Sequence, residues 1–210
     1  MLNVKSHQEL SDDYQKRLPF LKIKAQEQMN DKKNIFAIVG SASYNSSNEK
    51  LIAYISLMTE DVFNVHVFRH LKKLPHFNPT LSVSNTPQSI KEFRESIEKA
   101  DGILICTPEY VFSIPSGLKN AIEWCISTTV FSGKPTGLIT ASANGERGHE
   151  ELQLIMKTIM ADVKPETMLL IQGIKGKINE QGVIQDDKTR AEVIFFANSF
   201  KELIISKAKQ

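Results

Sequence analysis

Residues 34 to 48 read N-I-F-A-I-V-G-S-A-S-Y-N-S-S-N, and no other stretch narrows the choice of folds as much. Ile35 to Val39 is a continuous apolar run with strong β tendency, and it stops at Gly40 in a loop of small hydroxyl and amide residues. Behind Asn48 and Glu49, Leu51, Ile52, Ile55 and Met58 recur at helical spacing. The order is strand, serine-rich turn, amphipathic helix. The first amides of such a helix lack internal partners and lie at the positive end of its dipole, so the loop can hold an anionic oxygen. Ser41, Ser43, Ser46 and Ser47 would add hydroxyl donors, and Gly40 lets the backbone leave the strand sharply. The same residues also suit an ordinary turn and N-cap.

The rest of the chain repeats the alternation. Val62 to Phe68 suits a second strand, at an edge, with His66 facing solvent. Leu74 to Pro79 is a turn-rich connector, and Pro87 to Ala100 a helix with Ile90, Phe93 and Ile97 on one face. Gly102 to Cys106 has no polar alternation, as in a central parallel strand covered on both sides. It runs into T-P-E-Y-V-F-S-I-P and a helix from Ser116 to about Ser127. Thr136 to Ala141 makes a fourth strand that opens into S-A-N-G-E-R-G, followed by a helix on Leu152, Ile155, Met156 and Ile159. Met168 to Gln172 is a fifth strand and Lys188 to Lys207 a last helix.

Strands alternating with helices imply a parallel sheet with right-handed crossovers. The expected fold is an α/β, flavodoxin-like three-layer sandwich with strand order 2-1-3-4-5, whose ligands bind at the carboxyl ends of the strands where winding reverses. The loops after strands one, three and four would meet there. Residues 33–210 are expected to form this domain, and residues 1–32, polar and interrupted by Pro19, an extension that is partly helical or disordered.

Those three loops suit a flavin mononucleotide. The serine loop offers a phosphate cradle, Pro108 stiffens the next loop, and Tyr110 and Phe112 offer aromatic surface for a flat ring. Ser142, Asn144 and Gly145 could close the other edge. Glu109 invites a general-base reading, but no paired acid or nearby histidine supports it, and a structural role is preferred. His149 is expected as a solvated side chain in the first turn of the fourth helix. No catalytic acid or base is assigned.

At this point the chain resembles the NADPH-dependent FMN reductase family, the flavodoxin-like group that includes quinone, azo and chromate reductases. The resemblance rests on G-S-A-S-Y-N-S-S-N at 40 to 48, L-P-H-F-N-P at 74 to 79, T-P-E-Y-V-F-S-I-P-S-G-L-K-N-A-I-E-W at 107 to 124 and A-S-A-N-G-E-R-G at 141 to 148. It implies non-covalent FMN, two-electron transfer from NADPH or NADH to a small acceptor such as a quinone or free flavin, and homodimers or homotetramers. By position it implies Ser41, Ser46 and Asn48 around the phosphate, Pro108, Glu109 and Tyr110 along the ring, and Ser142 and Gly145 in the third loop. Ser43 stands where many members have an arginine, and Val111 where many have an asparagine.

Composition removes several other classes. With 41% hydrophobic and 24% charged residues and no bilayer-length apolar run, a soluble protein is expected rather than a membrane one. A net charge of +2, without basic clusters interleaved with aromatics, gives nucleic acid little to bind. Cys106 and Cys125 show neither a CxxC pattern nor clustered histidines, so they read as inert core thiols rather than a metal site. The N-terminus is too polar for a secretory signal, and a cytoplasmic location is expected. A dinucleotide Rossmann enzyme is disfavoured, because the first turn lacks G-x-G-x-x-G. A non-enzymatic flavin carrier shares the fold but is typically acidic, and a flavin-sensing module would use the N-terminal arm. The helix at Ser116 to Ser127 carries Leu118, Ile122, Trp124 and Ile126, which suggests a subunit contact unless Trp124 covers the sheet.

Overall fold

The computed structural model describes residues 32–207, so residues 1–31 of the expected extension lie outside the described residues. Five strands form one parallel sheet: β1 (Lys33–Val39), β2 (Phe63–Phe68), β3 (Gly102–Thr107), β4 (Thr136–Ser142) and β5 (Met168–Gln172). Their order is β2-β1-β3-β4-β5, as the sequence predicts, with Ile35 opposite Gly102 and Ile103 opposite Thr136 fixing the central register. All six residues of β3 are buried, which is why that strand is apolar without alternation. At the edge, β2 buries Phe63 and exposes His66, whose ring stacks on Phe36.

Period-two alternation of side chains divides the core between the two faces. Ile35, Ala37 and Val39 meet helices α1 (Ser47–Met58) and α6 (Asp187–Lys207) on one side. Phe36 and Ile38 meet α3 (Gln88–Lys99), α4 (Ser116–Glu123) and α5 (Glu146–Thr158) on the other. The first layer is fastened by Phe196 and Phe200 of α6, fully buried and stacked at 6.1 Å. Each such ring contributes roughly 1.5–3 kcal/mol by leaving water. Asp186 starts α6 by accepting the Thr189 amide at 2.8 Å.

Two stretches differ from the sequence reading. The connector after Leu74 contains a short helix, α2 (Pro79–Val83), which Asn78 caps by accepting the Leu81 amide at 3.1 Å. A five-residue helix is too short to leave a periodic signal. Helix α4 stops at Glu123 rather than running to Ser127: the Cys125 and Ile126 amides bond three residues back, to Ile122 and Glu123, and the Arg94 guanidinium takes the Trp124 carbonyl and also reaches Ser82 and Ser127. Trp124 is wholly buried, with its indole N–H donating to the Pro75 carbonyl at 2.7 Å and its ring edge-on to Phe77. Leu118 and Ile122 of α4 are buried with Trp124 inside the chain, and Ile126, past the end of that helix, is exposed.

Candidate active site

The carboxyl ends of β1, β3, β4 and β5 open into one cleft of about 770 Å³. Its first wall is the serine loop. Gly40 must be glycine, since a Cβ there would lie 2.2 Å from Thr107 Oγ1, so strand and loop pass as close as backbone allows. Ser41 Oγ accepts the Ser43 amide at 3.2 Å, which folds the loop into a tight turn, and it lies 3.5 Å from the Tyr110 hydroxyl. Ser46 then caps α1: its Oγ accepts the Glu49 amide at 3.2 Å and its carbonyl takes the Lys50 amide. The amides of Ser47 and Asn48 are left without intrahelical partners, and the Ser46 hydroxyl proton remains free to donate. The Asn48 side chain does not serve the cleft. It is buried, donating to the Ala141 carbonyl at 3.2 Å and accepting from Cys106 Sγ at 3.3 Å, so it ties α1 to β3 and β4.

The second wall follows β3. Pro108 is buried and Tyr110 borders the cleft. Tyr110 and Ser113 exchange backbone hydrogen bonds of 2.9 and 3.0 Å, closing a two-residue turn with φ of +50° at Val111 and +57° at Phe112. Positive φ at both centres is the type I′ arrangement that asparagine and glycine favour. Val111 is 94% and Phe112 72% exposed, so these side chains point to solvent rather than along the cleft. Glu151 anchors the end of the turn, accepting from Ser113 Oγ at 2.6 Å and from the Ile114 amide at 3.0 Å. Burial works against its ionisation, but these two bonds and Lys119 outweigh it and hold the carboxyl below its ordinary range. Glu109 is likewise structural in geometry: its Oε2 accepts the Gly148 amide at 2.8 Å in the first turn of α5.

The third wall follows β4. Ser142 Oγ donates to the Glu109 carbonyl at 3.4 Å, linking the two loops, and Asn144 Oδ1 accepts from Gln172 at 2.8 Å. Gly145 is the N-cap of α5 with φ of +92°, and a Cβ there would meet Leu170 at 2.9 Å. His149 differs from expectation. It is buried, with Nδ1 2.9 Å from Thr140 Oγ1, and burial lowers its pKa against the opposing charge of Glu150. The register of β4 under α5 carries it inward, where a helical pattern of one histidine gave no sign of direction.

The cleft thus gathers Ser41, Ser43, Ser46, Ser47, Asn48, Pro108, Tyr110 and Ser142. Glu109, Val111, Phe112, Asn144 and Gly145 stand behind or beside it, shaping the loops. Sequence reasoning missed a fourth wall, Gly173 to Gly176 after β5, whose Lys175 is the one charged side chain lining the cleft among the described residues. The signal was available in G-I-K-G, a glycine-flanked turn at a strand's carboxyl end. Both cysteines are buried, and burial pushes Cys125 up to about 12, so neither supplies a thiolate. Among the described residues no group of three or more His, Cys, Asp or Glu is placed to hold a metal, and no helix is long and apolar enough to cross a membrane.

Residues 33–173 match the family model described as NADPH-dependent FMN reductase. An NAD(P)H-dependent FMN reductase of Pseudomonas aeruginosa is 31% identical over 170 residues, covering 77% of this chain and 90% of that protein. A quinone reductase of Escherichia coli K12 is 27% identical over 84% of this chain and 97% of its own length. Among solved structures, the flavoenzyme NAD(P)H:(acceptor) oxidoreductase FerB from Paracoccus denitrificans superposes with a TM-score of 0.72 at 25% identity, covering 83% of this chain and 98% of that one. With the family model matched over residues 33–173 and a relative 31% identical over 77% of this chain, the chain belongs to the NADPH-dependent FMN reductase family, oxidoreductases that use FMN and a reduced nicotinamide.

Proposed function

We propose that the cleft at the serine loop holds FMN and that the protein passes two electrons from a reduced nicotinamide to a small acceptor such as a quinone or free flavin. The observation that carries this reading is the convergence of four strand-end loops on one cleft, with the unpartnered amides of Ser47 and Asn48 at its base. The donor set fits a phosphate monoester: backbone amides, the hydroxyls of Ser41, Ser43, Ser46 and Ser47, and the dipole of α1. With serine at 43, the charge comes from elsewhere, and Lys175 on the opposite wall supplies it. When bound, FMN supplies the redox chemistry by accepting a hydride equivalent and yielding two electrons. The protein's part is to bind and orient. Pro108, Tyr110 and Ser142 form the wall against which a flat ring rests, and the Glu109–Gly148 and Ser142–Glu109 bonds hold that wall at fixed spacing. No side chain is assigned as proton donor.

Quinone as acceptor is supported by relatives named quinone reductase. Anaerobic reduction of the FMN-loaded protein by NADPH, followed by reoxidation with a benzoquinone, tests the reading, and failure of either half-reaction refutes it. We place the protein in the cytoplasm and as a homodimer or homotetramer, with residues 1–32 as an extension to the catalytic domain. Phe112 and Leu154, 72% and 66% exposed, line one shallow depression that a second copy would cover. Sedimentation showing only monomer at micromolar concentration would rule that assembly out.

A further inference from the structure

A second cavity, of about 370 Å³, lies on the other side of the serine loop. Ser41, Ser43, Tyr44 and Tyr110 border both spaces, so the two are neighbours across one wall. Its size falls within the range of small-molecule sites, and its floor of Val39, Leu71, Leu74 and Pro115 is apolar. Its rim is cationic. Arg69, just past β2, pairs with Glu49, the acidic group on the wall, and so neutralises it. Lys72 donates to the Tyr44 hydroxyl and lies 4.1 Å above that ring, with no carboxylate partner among the described residues. This hydrogen bond, and then the Lys72 charge, draw the Tyr44 phenol below its ordinary pKa. An ammonium with one of its three donors engaged by a neutral hydroxyl has two left for an anion.

We propose that this cavity is the donor's adenosine subsite and that Lys72, with Arg69 behind it, binds the 2′-phosphate that distinguishes NADPH from NADH. The inference rests on the oxidoreductase reading above. An apolar floor flanked by Tyr44 and Tyr110 suits a purine, and a cationic rim beside it suits the phosphate that a purine nucleotide carries. Tyr110 joins this cavity to the cleft where the ring of FMN is placed, so a dinucleotide bound in both spaces has a continuous surface to follow. Arg69 acts at one remove. It covers the Glu49 carboxylate, which would otherwise repel the phosphate, and its planar fork offers a second contact.

Adenosine 2′,5′-bisphosphate is the probe, titrated calorimetrically into the FMN-loaded protein, with 5′-AMP as its counterpart. Binding of the bisphosphate that exceeds 5′-AMP and weakens about tenfold in Lys72→Ala, as expected for a charge-assisted contact half open to water, supports the subsite. The ratio of kcat/KM for NADPH over NADH falls by the same factor, and Lys72→Arg restores most of it. Tyr44→Phe separates this from loop tethering, because it removes the Lys72 hydrogen bond to the loop but keeps the ammonium. If Tyr44→Phe lowers bisphosphate affinity as much as Lys72→Ala does, or if FMN affinity falls in parallel, the residue only positions the loop and the proposal is overturned. Bisphosphate binding is read without turnover. A protein that binds the probe through Lys72 but oxidises neither nicotinamide refutes the oxidoreductase reading and not the subsite, whereas absence of binding refutes the subsite alone.

Discussion

Val111 sits at φ +50° with 94% of its surface exposed, and replacing it tests whether the turn after β3 is strained. A left-handed backbone costs an ordinary L-residue roughly 1–2 kcal/mol, and a β-branched side chain is among the worst to place there. Asparagine tolerates that region through local hydrogen bonding, and it is the preferred first residue of a type I′ turn. Since the exposed side chain buries nothing that the substitution would forfeit, Val111→Asn should stabilise the protein by about 1 kcal/mol. For a domain of this size the midpoint of thermal unfolding should rise by roughly 2–4 °C. Val111→Ala, which removes the branch but keeps a Cβ, should deliver only part of the gain. Unfolding is followed by far-UV circular dichroism with FMN absent, so that cofactor binding does not contribute. An asparagine variant no more stable than the parent, or an alanine variant equal to it, would refute the argument from backbone strain.

Gly40→Ala forces a Cβ onto Thr107 and should cost about 1–3 kcal/mol in urea unfolding, with a parallel loss of FMN affinity because the serine loop is displaced. Lys175→Ala should weaken FMN binding several-fold, more so at low salt, while leaving the unfolding midpoint of the apoprotein unchanged. His149 has its pKa lowered by burial, so the unfolded chain takes up the proton more readily; its contribution to stability should be full above the ordinary imidazole range and be lost as pH falls through and below that range. His149→Asn should flatten that decline, and an unchanged slope in pH-dependent unfolding would show that another group is responsible. Glu151→Gln, which weakens the bonds to Ser113 and Ile114, should destabilise by about 1 kcal/mol and speed amide exchange at Ile114.

The sheet was legible because β1, β3, β4 and β5 are largely apolar runs that end at a glycine, proline or hydroxyl cluster and β2 alternates as an edge strand does, while the longer helices between them carry apolar residues at helical spacing. The serine loop was legible for the same reason that it works. Serine and asparagine before a helix are both cap formers and anion donors. What could not be read were directions. Asn48 and His149 lie in helical first turns, where sequence gives no sign of whether a polar side chain faces a cleft or the core, and both face the core. Tyr110, Val111 and Phe112 are consecutive and look alike, yet the positive-φ turn sends only Tyr110 toward the cleft. Trp124 reads in sequence as surplus apolar surface after α4, but its indole is held by the Pro75 carbonyl, 49 residues away in sequence, and edge-on by Phe77, contacts that helical spacing does not encode.

The most direct test of the account is FMN binding, measured by quenching of flavin fluorescence, in the wild-type chain and in Ser46→Ala. One FMN per chain should bind, with the variant binding more weakly and its α1 less stable by about 1 kcal/mol through loss of the cap. Wild-type protein that does not bind FMN, or a variant that binds it unchanged, would contradict the assignment of the cofactor phosphate to the serine loop.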